Sequence, residues 1–214
     1  MKVEINKSMK LSEHFTLGEL CKTKHDTEDG NIPSHVAIEN LKRICENWLE
    51  DLRYSYNRLY VWNVEGGMWN EDSHAAVCAG VRPQSKVVAG VRPQSKVAGD
   101  CTLAPDPGAA PELGAAPASR KEEPIIINSG YRSPEVNRLA GGAKTSNHLS
   151  GCAVDIRCAG KEQMIRYASI LLDIADGTKQ EFDEMLLEQH GSTVWLHFAV
   201  RPKDNRRRIA FLKA

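Results

Sequence analysis

Two histidines and one aspartate in the C-terminal half of the chain have the residue types of a catalytic metal site. They are His148, Asp155 and His197. Two imidazoles and one carboxylate form a complete set of protein ligands for a catalytic zinc, which keeps its fourth position open. Other transition metals accept these ligands, but the borderline character of zinc suits a mixture of nitrogen and oxygen donors. The three residues therefore predict one zinc ion per chain.

The residues around these positions follow a longer pattern. The order Ser-x-His-x-x-Gly-x-Ala-x-Asp begins at Ser146 and ends at Asp155, and Trp-x-His follows at 195–197. Upstream, residues 129–133 read Ser-Gly-Tyr-Arg-Ser. Together these motifs resemble the zinc D-alanyl-D-alanine carboxypeptidases and related murein endopeptidases, and in particular their phage-like branch.

The resemblance extends over residues 10–53 and 124–208 and implies a fold and an activity. The implied fold is the small α+β type of these peptidases and of the Hedgehog signalling domain, in which a mostly antiparallel sheet carries the metal and helices pack on one face. The implied activity is zinc-dependent hydrolysis of a peptide bond in the peptidoglycan stem peptide, as a D-Ala-D-Ala carboxypeptidase or a murein endopeptidase. The stem peptide is then the partner, and we expect a monomer.

The resemblance assigns substrate binding to Arg132 and Ser146. A carboxypeptidase must recognise a terminal carboxylate, and a guanidinium group can bind one through two parallel hydrogen bonds. Ser146 would add a further hydrogen bond. The alternative role for Arg132 is structural, in which it holds the turn after a strand. We expect Asn128, Tyr131 and Asn137 to be scaffold residues.

The general base is where this sequence departs from its relatives. A Glu-x-x-His spacing would place the base at position 194, but the chain has Val194 there, and valine cannot accept a proton. The phage-like branch instead carries an acidic residue before the Trp-x-His segment, and Glu188 corresponds to it. We expect Glu188 to be the base, with Glu184 as a second catalytic candidate and His190 as a weaker one.

A hairpin would bring these carboxylates to the metal. With a turn near 189–192, residue 188 would pair with 193 and residue 184 with 197. Side chains alternate between the two faces of a strand, so Glu184 and Glu188 would then share a face with His197.

The other elements follow from apolar periodicity, capping residues and glycine or proline boundaries. The spacing predicts helices over 33–53, 133–140 and 160–176, and a capping box at Thr16 and Glu19 predicts a short helix before them. Short apolar or alternating segments predict strands at 124–128, 152–157, 184–188 and 194–200.

The middle of the chain has a different composition. Residues 79–87 recur without change as residues 89–97, and twelve of the fifteen residues from 104 to 118 are Ala, Pro or Gly. Such a segment cannot form a packed core and is typical of a linker. We therefore predict one peptidase domain spanning residues 1–214, interrupted by an insertion at about 60–120.

Composition narrows the class of function. The 28 Lys and Arg residues balance the 28 Asp and Glu residues, so no net charge favours nucleic acid, and the run 206–208 is expected to be a solvated terminus. No apolar run is long enough to span a bilayer. Residues 1–10 lack the apolar core of a signal peptide, so we expect synthesis in the cytoplasm and action on the cell wall after phage-type release. The six cysteines form no Cys-x-x-Cys pair and are expected to be reduced thiols.

A second class of function remains open at this point. A protein that kept the metal ligands but lost the base would be a non-catalytic, zinc-stabilised module that binds the cell wall or forms part of a phage particle. Val194 is the residue that favours this alternative.

Overall fold

The computed structural model describes residues 6–61 and 122–213. Apart from residues 60 and 61, the predicted insertion at about 60–120, with its repeat, lies outside these ranges. Two of the six cysteines, Cys78 and Cys101, lie outside them as well.

A five-stranded sheet carries the site. Its strands lie in the order β1-β2-β4-β3-β5. β1 to β4 pair antiparallel with their neighbours, whereas β5 runs parallel to β3. The α+β class is confirmed, but the sheet is mixed, so the prediction of a small, mostly antiparallel sheet is wrong in this respect. The bounds are β1 Ile127–Ser129, β2 Ala153–Cys158, β3 Glu184–His190, β4 Thr193–Ala199 and β5 Arg208–Lys213.

β5 is the strand that makes the sheet mixed, and the sequence did not indicate it. The run 206–208 was predicted to be a solvated terminus, but Arg206 binds Asp183 and Arg208 begins β5. Because β5 lies at the sheet edge with most of its residues exposed, including Phe211, it lacks the alternation of apolar and polar residues that marks a half-buried strand.

Helices cover the N-terminal part of the chain and follow β1 and β2. The predicted helix over 33–53 begins at His35, because Ser34 accepts a hydrogen bond from the backbone of Ala37 and is the N-cap. It includes one π-helical turn within the predicted range and extends past residue 53 to a second π-helical turn that ends at Val61. The segments are α1 Leu17–Leu20, α2 His35–Ile44, a π-helical turn Cys45–Leu49, α3 Glu50–Tyr56, a second π-helical turn Asn57–Val61, α4 Pro134–Leu139 and α5 Lys161–Thr178.

The central strands separate an apolar face from a polar face. Val154, Ile156, Leu196 and Phe198 alternate with the predicted metal ligands along β2 and β4 and are fully buried. The Trp48 ring lies 5.0 Å from the Phe198 ring. The apolar face therefore packs on the helices, and burial of these large side chains, worth roughly 1.5–3 kcal/mol each, holds the polar face in place.

Two expectations from composition can be compared with this structure. The four cysteines of the described ranges are free and buried, as expected for reduced thiols: Cys21, Cys45, Cys152 and Cys158. Within residues 6–61 and 122–213, no helix combines the length and the apolar character that crossing a bilayer requires.

Candidate metal centre and substrate pocket

A short helical turn between α4 and β2 places His148. Residues Asn147–Ser150 form a 3-10 helix, and Ser146 caps it by accepting a hydrogen bond from the His148 backbone N–H at 3.3 Å. The turn ends at Gly151, whose φ of 69° falls in the left-handed region. A Cβ atom at Gly151 would lie 2.4 Å from the carbonyl oxygen of Ala37, so only glycine lets this turn pack against α2.

Strand pairing places the other two residues of the set. Asp155 on β2 lies directly opposite His197 on β4. Directly opposite residues of an antiparallel pair point to the same face and have neighbouring Cβ atoms. Two residues that are distant in the sequence therefore meet through the register of one strand pair.

The three predicted ligands converge on a single carboxylate oxygen. Asp155 Oδ1 lies 3.3 Å from His148 Nε2 and 2.9 Å from His197 Nδ1. All three ligand atoms lie within 4.8 Å of one another. The three side chains are buried, although they all line one cavity.

Backbone and arginine contacts orient these ligands. His148 Nδ1 lies 2.5 Å from the carbonyl oxygen of Gly130. Because a carbonyl can only accept, Nδ1 carries a proton, and Nε2 is the ring nitrogen that faces Asp155. The other oxygen of Asp155 accepts a hydrogen bond from Arg132 Nη2. Outer contacts of this kind fix the tautomer and position of metal ligands, so the donor set fits a zinc ion.

Electrostatics at the cluster favours a charged Asp155. Burial would raise the pKa of Asp155, but the charge and hydrogen bond of His148, and those of His197, outweigh it and hold the pKa well below its usual value. Burial would lower the pKa of His197, but the hydrogen bond with Asp155 and the charges of Asp155, Glu188 and Glu184 raise it. The charged Asp155 therefore favours a positive charge next to it, whether this comes from a protonated histidine or from a metal ion.

The hairpin that carries the candidate bases has a different register from the predicted one. Glu188 pairs with Trp195 and Glu184 with Ala199, so the predicted pairings of 188 with 193 and 184 with 197 are wrong by two residues. The reason is the turn: Gly191, with φ of 58°, allows a two-residue connection, and the strands extend to His190 and Thr193. A shift by two keeps every side chain on its face, so both glutamates still share the face of His197.

The two glutamates nevertheless have different surroundings. Glu188 lines the same cavity as the three predicted ligands. Burial raises the pKa of Glu188, and the charges of Asp155 and Glu184 act in the same direction, whereas His197 and Arg132 oppose it. A carboxylate with a raised pKa accepts a proton more readily near neutral pH.

Glu184 is held by arginines and lies outside the cavity lining. Its Oε1 atom lies 3.0 Å from Arg206 Nη2 and 2.9 Å from Arg208 Nη1. Its Oε2 atom lies 3.9 Å from His197 Nε2. Glu184 therefore faces the Nε2 atom of His197, whereas Asp155 faces Nδ1.

Val194 lies on the opposite face of β4 from His197. Its side chain is 4% exposed and belongs to the apolar core. An odd spacing along a regular strand always separates two residues in this way. A base at position 194 could therefore not face the metal site in this strand geometry.

The cavity has a volume of about 760 Å³ and combines the predicted metal ligands with the predicted substrate residues. Arg132, Ser146 and Glu188 all line it, whereas the catalytic candidates Glu184 and His190 do not. The Arg132 Nε atom donates to Ser129 Oγ at 2.7 Å, so the turn-holding role considered for Arg132 is present together with its place in the cavity.

Two residues next to Arg132 support the site and were not singled out from the sequence. Ser129 holds the guanidinium group, and Gly130 supplies the carbonyl oxygen that orients His148. A Cβ atom at Gly130 would lie 2.3 Å from the carbonyl oxygen of Leu20, which explains the glycine. Both stand in the Ser-Gly-Tyr-Arg-Ser motif, but no local pattern predicts that a backbone oxygen contacts an imidazole.

The family model for Peptidase M15 matches residues 95–194. This range contains His148, Asp155 and Glu188 and ends before His197. The inclusion of His197 in the cluster rests on the distances between the three side chains. The match supports a zinc-dependent metallopeptidase of the M15 family. It does not distinguish the phage-like branch or the type of peptide bond. No curated protein matches the chain.

Proposed function

We propose that this protein is a zinc-dependent hydrolase of the peptidoglycan stem peptide, acting as a D-Ala-D-Ala carboxypeptidase or a murein endopeptidase at the cell wall. The observation that carries the proposal is the convergence of three kinds of group in one cavity. A metal-ligand cluster, an arginine and a glutamate all line it. A metal-dependent peptide hydrolase uses a Lewis acid, an anchor for the substrate and a proton acceptor.

In this proposal His148, Asp155 and His197 hold the zinc ion. When bound, zinc polarises the scissile carbonyl and lowers the pKa of a water molecule. Glu188 takes the proton from the attacking water and passes it to the leaving amine. Its raised pKa and its place in the cavity support this role.

Arg132 has two tasks in the proposal. One of its amino groups and its Nε atom are used by Asp155 and Ser129. A guanidinium group has five N–H donors, so others remain for a substrate carboxylate in the cavity that Arg132 lines. Ser146 lines the same cavity and would add a hydrogen bond to the substrate.

The decisive experiment is incubation of the zinc-loaded protein with purified muropeptides, followed by mass identification of the fragments. Release of D-alanine would indicate a carboxypeptidase, and cleavage of cross-linked dimers would indicate an endopeptidase. The matched control is the same protein after zinc removal by a chelator, which should release nothing.

The alternative is a zinc-stabilised module that binds the wall without cleaving it. Val194, which stands where several relatives carry the base, favours it on sequence grounds, although residue 194 of this strand faces the apolar core and not the predicted metal site. Intact muropeptides after incubation with fully zinc-loaded protein would support this alternative and contradict the peptidase.

A further inference from the structure

One wall of the substrate cavity is basic and has no role in the proposed chemistry. Residues 22–25, which read Lys-Thr-Lys-His, line the cavity together with Arg132. We name residues 22–25 the basic wall. Lys22 and Lys24 are exposed, and among the described residues neither has a carboxylate within ion-pair distance. Their charges are therefore available to a ligand in the cavity.

The charge of the cavity is positive although the chain as a whole is balanced. The carboxylates that line it are Asp155 and Glu188, and both stand beside the metal cluster. The lysines of the basic wall and Arg132 outnumber them before any metal ion is added. A cavity lined by an excess of one charge concentrates ligands of the opposite charge.

The basic wall is joined to the segment that carries Arg132. Asn31 is 2% exposed and bridges the two segments. Its Nδ2 atom donates to the carbonyl oxygens of Cys21, at 2.9 Å, and Tyr131, at 3.3 Å, and its Oδ1 atom accepts from the Ser133 backbone N–H at 2.7 Å. These contacts flank Arg132 on both sides and reach the residue that precedes the basic wall.

Two further features show that this junction is tight. Asn31 adopts a φ of 52°, in the left-handed region that asparagine tolerates better than most residues. The backbone N–H of Tyr131 also donates to the carbonyl oxygen of Leu20 at 2.7 Å. The start of the basic wall is therefore held at a fixed position relative to Arg132, as two parts of one binding surface would be.

We propose that the basic wall binds a second carboxylate of the substrate peptide, in addition to the carboxylate that Arg132 binds. The enzyme then prefers a peptide in which this second carboxylate is free to a peptide in which it is a carboxamide. This inference rests on the proposed function. Arg132 takes the carboxylate next to the scissile bond, and Lys22 and Lys24 take the other. The ligand class is an acidic peptide.

The test compares two peptides that differ only in the group proposed to meet the basic wall, which is a carboxylate in one peptide and a carboxamide in the other. The variant is the double substitution Lys22→Gln and Lys24→Gln, and the control is Lys203→Gln, an exposed lysine outside the cavity lining. Exposed ion pairs are weak, so we expect kcat/KM for the dicarboxylate to fall roughly two- to twentyfold, mainly through KM. The carboxamide should be cleaved at the wild-type rate, and Lys203→Gln should change neither.

Salt provides an independent measurement of the same preference. Because exposed charges are screened, raising the ionic strength from about 0.01 M to about 0.5 M should reduce the wild-type preference for the dicarboxylate. In the double variant, the preference for the dicarboxylate should depend little on salt. Equal losses on the two peptides, or no loss on either, would overturn the inference, provided that zinc content and thermal stability match the wild type.

The failure of the proposed function can be told apart from the failure of this inference. If the zinc-loaded wild type cleaves neither peptide, the peptidase proposal fails. Calorimetric titration of the same two peptides then tests the basic wall alone. Tighter binding of the dicarboxylate, lost in the double lysine variant, would support the wall, and equal binding of both peptides would refute it.

Discussion

Two buried aspartates near the same sheet, Asp155 and Asp183, have partners of different chemistry. Asp155 contacts two imidazoles and one arginine. Asp183, which is fully buried just before β3, contacts Arg201, Arg206 and Asn147. An imidazole can lose its proton and offer a lone pair to a metal, whereas a guanidinium group stays protonated. Burial of a carboxylate therefore does not mark a functional site, because the partners decide whether it binds a metal or fastens the chain.

Asp183 fastens the link between β4 and β5. Arg206 donates to both of its carboxylate oxygens, at 2.8 and 2.7 Å, and Arg201 lies 2.9 Å from Oδ1. The backbone N–H of Arg208 donates to the carbonyl oxygen of Asp183 at 2.9 Å. Asn147, one residue before His148, donates to Oδ2 at 2.8 Å. The structural aspartate thus supports β5 and the turn that carries His148, a predicted metal ligand.

The largest expected effect comes from breaking the Asp155 cluster. His148→Ala and His197→Ala each leave an incomplete ligand set, so each should largely abolish stoichiometric zinc and peptide hydrolysis. Elemental analysis of the purified protein measures the first effect. His190→Ala, an exposed histidine at the end of β3, is the matched control and should keep its zinc. Full zinc occupancy in the double histidine variant would contradict the assignment.

The next effect separates the two glutamates on the same face. Glu188→Gln keeps the shape of the side chain but removes the proton acceptor, which should lower kcat by roughly a hundredfold to ten-thousandfold with zinc content unchanged. Glu184→Gln should cost less, because the arginines hold Glu184 outside the cavity lining. Hydrolysis at the wild-type rate in Glu188→Gln would exclude Glu188 as the base.

Breaking the Asp183 contacts should affect stability rather than chemistry. Removing one partner of a fully buried ion pair costs roughly 3–5 kcal/mol. Arg201 and Arg206 are partly exposed and can regain water, so we expect Asp183→Ala to lower the free energy of unfolding by about 2–3 kcal/mol.

Urea denaturation measures this loss of free energy. At urea concentrations below the unfolding transition, Asp183→Ala should still bind zinc. Asp26→Ala, at an exposed aspartate, should change little. An unaltered transition in Asp183→Ala would show that the link does not depend on this carboxylate.

The smallest effect is a dependence of stability on pH. Burial alone would raise the pKa of Asp183, but hydrogen bonds from Arg206 and Asn147 and the charges of both arginines lower it from 3.8 to about 2. A carboxylate with a lowered pKa stabilises the fold above its unfolded value, and this stabilisation is lost as pH falls through its folded value.

The difference in unfolding free energy between the wild type and Asp183→Asn should therefore shrink between about pH 4 and pH 2, by on the order of 2 kcal/mol. Denaturation series of the zinc-free proteins at several pH values measure it. Parallel curves for the two proteins across this range would contradict the lowered pKa.

Local signals predicted much of the fold. Thr16 and Glu19 form the expected capping box, and Ser133 caps α4 with Pro134 at its first position. The strands at 153–158 and 193–199 follow the predicted segments within two residues. Caps, turns and apolar periodicity act over a few residues, so the chain itself determines them.

Contacts between distant segments were harder to predict. The register of the hairpin depended on a two-residue turn, and a shift by two left the faces of Glu184 and Glu188 unchanged. β5 was missed because its pairing with β3 depends on an edge of the sheet and on Asp183, neither of which produces a pattern within residues 208–213. The face of each glutamate was therefore predicted correctly despite the error in register. The edge strand β5 shows no alternation of apolar and polar residues from which it could have been predicted.

For the site, the sequence alone determined the ligand types, the alternation that puts Asp155 and His197 each on one face of a strand, and the absence of a base at Val194. The tertiary structure decided that Arg132 binds Asp155, that arginines hold Glu184 outside the cavity lining while Glu188 lines it, and that the basic wall stands beside Arg132. The physical reason is the range of the interactions. Propensity and alternation are properties of neighbouring residues, but the partner of a buried charge is chosen by the packing of segments that are far apart in the chain.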